Sequence, residues 1–424
     1  MQVCTVDSLD KKLKALIFTT FAHFSNDSVF LIYPLLITYY TLIPGLNLVL
    51  LGALAIVYQL IYGAASTPIG IMADRSRNEG LMVAIGIAIL GISMLAFAGS
   101  FAIAGLRLPL IIAGVLLLGT GTAFYHPIGA SILKSAYEKK AASMMGINGS
   151  AGSVGRSAMP VILVFLITAL GASFALGLVG IELLIASGIV YVGLTAFNNG
   201  ARAGFGSLSS LKRRSKAAKA KASIFKSRYA EVLLPLVAVI FVRSMFMTGT
   251  VTFVPEYLKV VTHSEVLVGT ILSVSFVFAI FGQLFFGYVT SKKGGRYVIT
   301  ATAFASAVSF VLFLLAKDNI YFALAMLSIF IFATFNGFAV ILGYVNQLVP
   351  DKVANSSNAF TWGVGQILGG AAGVGVMTLL LNYISVTSAM WYMSIFMFIS
   401  ILMLPLLYRK GKKEQAVKKQ IRKA

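Results

Sequence analysis

The chain has 424 residues, of which 58% are hydrophobic and only 11% charged, and its mean hydropathy is +0.92. Soluble domains carry roughly 25% charged residues, so composition excludes a soluble globular protein. The one cysteine, Cys4, excludes a disulfide framework and a thiolate metal site, and the three histidines form no cluster with metal-ligand spacing along the chain.

Apolar runs long enough to cross a bilayer, at roughly 20 residues or more, occur near 14–40, 46–72, 81–104, 108–134, 142–170 and 172–197, and again near 229–257, 264–290, 296–316, 319–348, 353–382 and 385–408. The first run is too long for the apolar core of a signal peptide and lacks a small-residue cleavage site, so it is expected to remain as a span. The polar stretch 198–228 divides the runs six and six. The predicted protein is all-α and membrane-embedded, with an N-terminal six-helix bundle over 1–197, a basic linker over 198–228, a second bundle over 229–408 and a basic tail over 409–424. Tyr39, Tyr40, Tyr383 and Trp391 fall near span ends, where aromatic side chains anchor at the membrane interface.

The formal net charge is +21, and its distribution matters more than its size. Of the 34 Lys and Arg, all but five fall in alternate loops and the tails. The exceptions are Arg107, Lys259 and Lys317 in opposite loops, with Arg156 and Arg243 inside spans. This is the positive-inside pattern, and it predicts a multi-pass plasma-membrane protein with both termini in the cytoplasm. The basic loop Arg202–Arg228 and the tail Arg409–Lys423 suit contact with anionic lipid headgroups. No fold or base-reading motif accompanies the charge, so nucleic acid is not expected as a partner.

The two halves repeat one another weakly. Leu51-Gly52-Ala53 through Gly70 aligns with Val268-Gly269-Thr270 through Gly287 at a constant offset. Glu138-Lys139 before the fifth span aligns with Asp351-Lys352 before the eleventh, which sets Gly152 on Gly365; Pro34 corresponds to Pro255. Repeated halves with a site between them are the architecture of many secondary transporters.

The loop after the second span, Gly70-Ile71-Met72-Ala73-Asp74-Arg75-Ser76-Arg77, resembles the signature of the major facilitator superfamily between helices 2 and 3. The resemblance implies the two-bundle fold of that superfamily, with Asp74 and Arg75 as a charged latch that gates the cytoplasmic mouth. Three further stretches are similar to the fosmidomycin-resistance-like branch: His23-Phe24-Ser25-Asn26-Asp27 with Pro34, Gly119 through Pro127, and Asn148-Gly149-Ser150-Ala151-Gly152 to Pro160. That resemblance implies export of small molecules in exchange for protons.

His23 and Asp27 lie four residues apart and so share one face of the first helix. A charged side chain near the bilayer centre costs at least ~2.5 kcal/mol, and it normally faces a cavity or a partner. Asp27 is the expected proton-coupling carboxylate, with His23 as its relay, because an unperturbed imidazole titrates near about pH 6.5. The alternative is an Asp–Arg pair that only orders helices. Arg156 and Arg243 reach similar depth on helices that border the central cavity in the superfamily fold. Each admits ligand contact, where a guanidinium clamps an anion bidentately, or structural pairing. Arg156 lies in register with Gly149 and Gly152, a face that also marks close helix packing. In the second half Ser244 and Thr248 occupy the positions of His23 and Asp27, which confines proton chemistry to the first half.

Pro127 cannot donate to the carbonyl of Ala123. The expected kink would let His126 and Pro127 act in gating near the cytoplasmic third, or leave a satisfied histidine at a bend. Glu182, inside the sixth span, is expected to be a protonated or partnered structural carboxyl. Tyr33, Asn336 and Gln366 are further candidate substrate contacts, each also compatible with plain packing. The function expected is a proton-coupled transporter of a small anionic or zwitterionic organic solute, working by alternating access as an efflux antiporter and as a monomer, with no cofactor and no metal. An organic-anion uptake symporter is the alternative. A membrane-embedded enzyme would need a paired-carboxylate, nucleophile or metal motif that the chain lacks.

Overall fold

The computed structural model describes residues 6–76, 78–137, 141–197, 229–316, 319–349 and 357–407. The linker 198–228 and the tail 409–424 lie outside the described residues, as do the side chains of Asp74 and Arg75. Among the described residues twelve helical spans are long and apolar enough to cross a membrane. They are α1 (Asp10–Tyr40), α2 (Leu48–Gly70), α3 (Glu79–Ala102), α4 (Ala104–Tyr137), α5 (Met144–Leu170), α6 (Ala172–Gly193), α7 (Ala230–Thr262), α8 (Glu265–Lys293), α9 (Gly295–Leu315), α10 (Ile320–Leu348), α11 (Ser357–Leu380) and α12 (Val386–Leu406). Twelve crossings return the chain to the side on which it started, so both termini belong to one end of the bundle.

Local chemistry sets the ends. Helix α7 runs several residues past its predicted end and stops at His263, whose left-handed φ of 52° turns the chain while its N–H returns to the carbonyl of Lys259 at 2.8 Å. The oxygens of Ser264, Asn319 and Ser385 then accept from the third amide beyond them, capping α8, α10 and α12.

In the first half α3 packs on α4 and α6, α2 on α4, and α1 on α5; in the second, α7 packs on α11 and α12, and α10 on α8 and α9. The halves meet through α1 with α7, α5 with α8, and α2 with α11. Exchanging α1 with α7, α2 with α8 and α5 with α11 maps these contacts onto themselves, so the sequence repeat is a spatial two-fold.

Glycine contacts correct the register of that repeat for α5 and α11. A Cβ on Gly155 would fall 2.5 Å from Phe24 O, and one on Gly152 would fall 2.5 Å from Asp27 Oδ2. The matching contacts in the second half are Gly373 on Met245 O and Gly370 on Thr248. Gly152 therefore pairs with Gly370, not with Gly365. Part of the slip is taken up by the π-helical segment Thr361–Leu368, whose wide turns spend more residues per rise. In hydrocarbon, small residues at such crossings let backbones approach and supply much of the association energy.

Candidate functional site

Helix irregularities gather around the middle of the protein. In α1 the α-helix Val6–Ser28 gives way to a 3-10 turn, Val29–Leu31, before the helix resumes at Ile32. Pro34 causes this, because it offers no N–H to Phe30 O. In α10 the helix Ile320–Thr334 breaks at Phe335 and Asn336 and resumes at Gly337. The π-helical segment of α11 lies at the same level. These irregular segments line a central cavity of about 190 Å³, where freed backbone groups find partners other than lipid.

Asp27 anchors the wall contributed by the first half, and it is 3% exposed. Its Oδ2 accepts a close hydrogen bond from Arg156 Nη2 and lies 3.1 Å from His23 Nε2. Its Oδ1 accepts from Asn26 Nδ2 at 2.9 Å and stands 3.9 Å from His126 Nε2. On the far side of the His23 ring, Nδ1 donates to Asn148 Oδ1 at 2.7 Å. Tyr125 Oη donates to the same oxygen at 2.9 Å, while Asn148 Nδ2 reaches Thr19 Oγ1 at 3.3 Å. An amide oxygen only accepts, so Nδ1 carries the hydrogen and Nε2 is the nitrogen turned to the carboxylate. Between Nε2 and Oδ2 there is a place for one proton, held by a fixed ring. The absence of side chains at Gly152 and Gly155 is what lets α5 bring Arg156 to this carboxylate. The guanidinium also lies over Phe30, with its carbon 5.3 Å from the ring centroid.

The fold brings together what linear spacing hid. Ligand atoms of His23, Asp27 and His126 all lie within 4.8 Å of one another, so two of the three histidines join the carboxylate in space although no spacing along the chain marks them as a cluster. The trio could offer two imidazole nitrogens and a carboxylate to a metal ion. Against that, the Arg156 guanidinium already occupies Oδ2, and a divalent ion beside it would be repelled.

The opposite wall is built from Arg243, Ser244, Asn336 and Gln366. Arg243 is buried, and its Nη2 donates to the carbonyl of Ala333 at 3.2 Å, a carbonyl next to the break in α10. Among the described residues no carboxylate lies within ion-pair distance of it. Asn336 Nδ2 donates to the same carbonyl at 2.7 Å and to Phe332 O at 3.3 Å, while its Oδ1 is buried without a partner. Ser244 Oγ donates to Gln366 Oε1 at 2.9 Å.

The end away from the termini is closed by contacts between the halves. Lys259 Nζ on α7 meets Thr38 O on α1, Val161 N on α5 donates to Ser273 Oγ on α8 at 2.9 Å, and Gly52 on α2 abuts Thr378 on α11. Gln283 Nε2 bonds Ser153 Oγ at 2.9 Å nearer mid-depth. From there the cavity extends toward the terminus-bearing end, lined by Leu133, Met145 and Ile341.

Of the expected site residues, His23, Asp27, Arg156, Arg243, Tyr33, Asn336, Gln366 and His126 all line this cavity. Several expectations change, and the choice left open between the two arginines is decided. His126 stands edge-on to His23, ring centroids 5.3 Å apart, within the Asp27 cluster rather than at a mouth. Arg156 is the partner of Asp27, whereas Arg243 faces the cavity without a counter-charge among the described residues. Helix α4 continues through Pro127 without a break. Tyr33 spends its hydroxyl on Leu51 O at 2.8 Å and stacks on Phe97, so it shapes the wall more than it offers a bond. Glu182 is exposed on the outer face of α6 beside Phe21 and Ile185, and no ion pair is found for it among the described residues, so the partnered reading fails. The residues missed were Asn148, Tyr125 and Asn26. All three lie inside the motif stretches of the fourth, fifth and first spans, which was the available signal.

Twelve crossings in two related bundles, with one mid-depth cavity closed at one end, define a membrane transporter and not an enzyme. The sequence profile described as Major Facilitator Superfamily matches residues 16–370, and the chain belongs to that superfamily. An uncharacterized MFS-type transporter of Bacillus subtilis (strain 168), YfnC, is 26% identical over 370 residues, covering 85% of this chain and 86% of that protein. Among solved structures, a bacterial homolog of the human lysosomal transporter Spinster, inward-facing and unoccupied, superposes with a TM-score of 0.72 at 13% identity, over 94% of this chain and 96% of its own. A POT family transporter in complex with 5-aminolevulinic acid gives 0.71 at 11% identity, over 92% and 94%. At these identities the two structures establish the fold alone.

Proposed function

We propose that the protein is a proton-coupled secondary transporter of a small organic anion or zwitterion, with Asp27 as the coupling carboxylate and Arg243 as the substrate cation. The observation that carries this reading is the division of the cavity. One wall holds a carboxylate between an arginine and two histidines, and the facing wall holds a buried arginine with no counter-charge among the described residues. A proton delivered through His23 to Asp27 discharges the carboxylate and frees Arg156, which loosens α1 from α5 within the first half. Substrate on Arg243 neutralises the charge of the second half. Each event removes a cost that opposes the rocking of the bundles about the cavity.

The positive-inside pattern supports cytoplasmic termini in the plasma membrane, which makes the cavity inward-facing as it stands. The basic linker and tail would then lie against anionic lipid on that side. Export is favoured by the resemblance of the His23–Asp27, Gly119–Pro127 and Asn148–Pro160 stretches to the fosmidomycin-resistance-like branch, and the protein is read as a monomer. The test is solute flux in proteoliposomes under an imposed pH gradient. Flux should run against the proton flow and collapse in Asp27→Asn. Undiminished gradient-driven flux in that variant removes Asp27 as the coupling site, and solute moving with the protons turns export into uptake.

A further inference from the structure

We infer that the cavity takes an aromatic monocarboxylate, with its carboxylate on Arg243 and its ring among Phe30, Phe335 and Trp362. This rests on the transport reading above and names the substrate class that reading leaves open. Arg243 lines the cavity, and of its guanidinium nitrogens only Nη2 is bonded among the described residues, to Ala333 O at 3.2 Å. Its Nε and Nη1 have no partner, yet unlike the Nε of Arg156 they are not sealed inside the protein. Two donors of a buried cation therefore open on the cavity, where a carboxylate takes them up through charge-assisted hydrogen bonds.

Aromatic side chains flank those donors. Phe335 stands two residues beyond the carbonyl that holds Arg243, at the break in α10. It lies edge-on to Phe30 of α1, ring centroids 5.9 Å apart, and to Phe276 at 4.7 Å. On the other flank Ser244, next to Arg243, donates to Gln366, and Trp362 precedes Gln366 by about one turn of the π-helical segment. Phe30, Phe335 and Trp362 all line the cavity, and each keeps part of its surface uncovered. A ring on a short link reaches them while its carboxylate stays on the guanidinium. Aromatic pairs gain beyond the area they bury, so a flat ring is favoured over a saturated one of the same size. Charge sets the rest. Arg156 is held by Asp27, so a second carboxylate on the substrate meets no free arginine or lysine among the described cavity residues. An ammonium would stand beside Arg243, and Asp27, the one carboxylate among those residues, is already paired.

The test measures binding to detergent-purified full-length protein at pH 7, by calorimetry, with phenylacetate, cyclohexylacetate and phenylmalonate. Phenylacetate should bind about three- to tenfold tighter than cyclohexylacetate, which has the same charge and carbon skeleton but no π face. Plain hydrophobicity would favour the saturated ring, so the order is diagnostic. Phenylmalonate, with its second carboxylate, should bind roughly tenfold or more weaker than phenylacetate. Phe335→Leu should narrow the gap between phenylacetate and cyclohexylacetate, and Arg243→Gln should abolish binding of all three. Cyclohexylacetate binding as tightly as phenylacetate overturns the inference, as does phenylmalonate binding tightest, unchanged binding in Arg243→Gln, or no binding by any. Should Phe335→Leu fail to fold, the ligand series on the parent protein decides. Equal binding of the two rings that still needs Arg243 removes the aromatic class and leaves the transport reading standing. Proton coupling is read separately, by the Asp27→Asn flux.

Discussion

The Asp27–Arg156 contact offers a quantitative test of the site, because both charges sit away from water. Their side chains are 5% and 15% exposed. Removing one partner of a buried pair costs about 3–5 kcal/mol, most of it from the charge left alone. In Asp27→Asn that charge is the Arg156 guanidinium, which keeps its contact with Phe30 and borders the cavity, so the lower end, about 3 kcal/mol, applies. Arg156→Gln leaves a carboxyl that can neutralise itself by taking a proton, and should cost only about 1–2 kcal/mol. The double variant leaves two neutral amides face to face and should fall within about 1 kcal/mol of the parent. The cycle therefore carries a coupling of roughly 3–5 kcal/mol. Melting followed by Trp362 and Trp391 fluorescence in detergent reads it out. At about 2 °C per kcal/mol, Asp27→Asn melts roughly 6 °C below the parent, and the added Arg156→Gln restores most of the loss. Additive losses in the double variant would refute the pairing and return Arg156 to the cavity as a free cation.

Two further outcomes follow from the geometry. Gly155→Ala drives a Cβ to within 2.5 Å of the backbone oxygen of Phe24, which has nowhere to go without moving α1. The cost should be about 1–3 kcal/mol, seen as a lower melting temperature together with lost gradient-driven flux, because Arg156 is carried away from Asp27. Lys259→Gln weakens the contact with Thr38 O and the approach to Glu265, 3.7 Å away, at the closed end. A loss of about 1.4 kcal/mol is a tenfold population shift toward opening at that end. Spin labels at exposed Leu106 and Tyr383, in a Cys4→Ser background, should report a longer distance between the bundles there, and an unchanged distribution would deny Lys259 this role.

What the sequence determined by itself was everything that follows from local cost. Twelve apolar runs and the positive-inside asymmetry are properties of a few adjacent residues meeting lipid or water. The expense of His23, Asp27, Arg156 and Arg243 in hydrocarbon marked them as residues that need partners, and Ser244 and Thr248 showed that the halves are chemically unequal. Which partner each charge has was a matter of tertiary structure alone, since helix crossings bring together residues more than a hundred positions apart. The small faces of Gly152 and Gly155 seat α5 on α1 and give Arg156 to Asp27. The slip of α11 against α7, absorbed partly by π turns, sets Gly370 rather than Gly365 opposite Thr248. Crossing of α4 over α1 moves His126 from a presumed mouth to the carboxylate, and the break in α10 turns Ala333 O and Asn336 toward Arg243. No periodicity in the chain encodes those crossings, because in a bilayer the packing of neighbouring helices, not hydrophobicity, decides which faces meet.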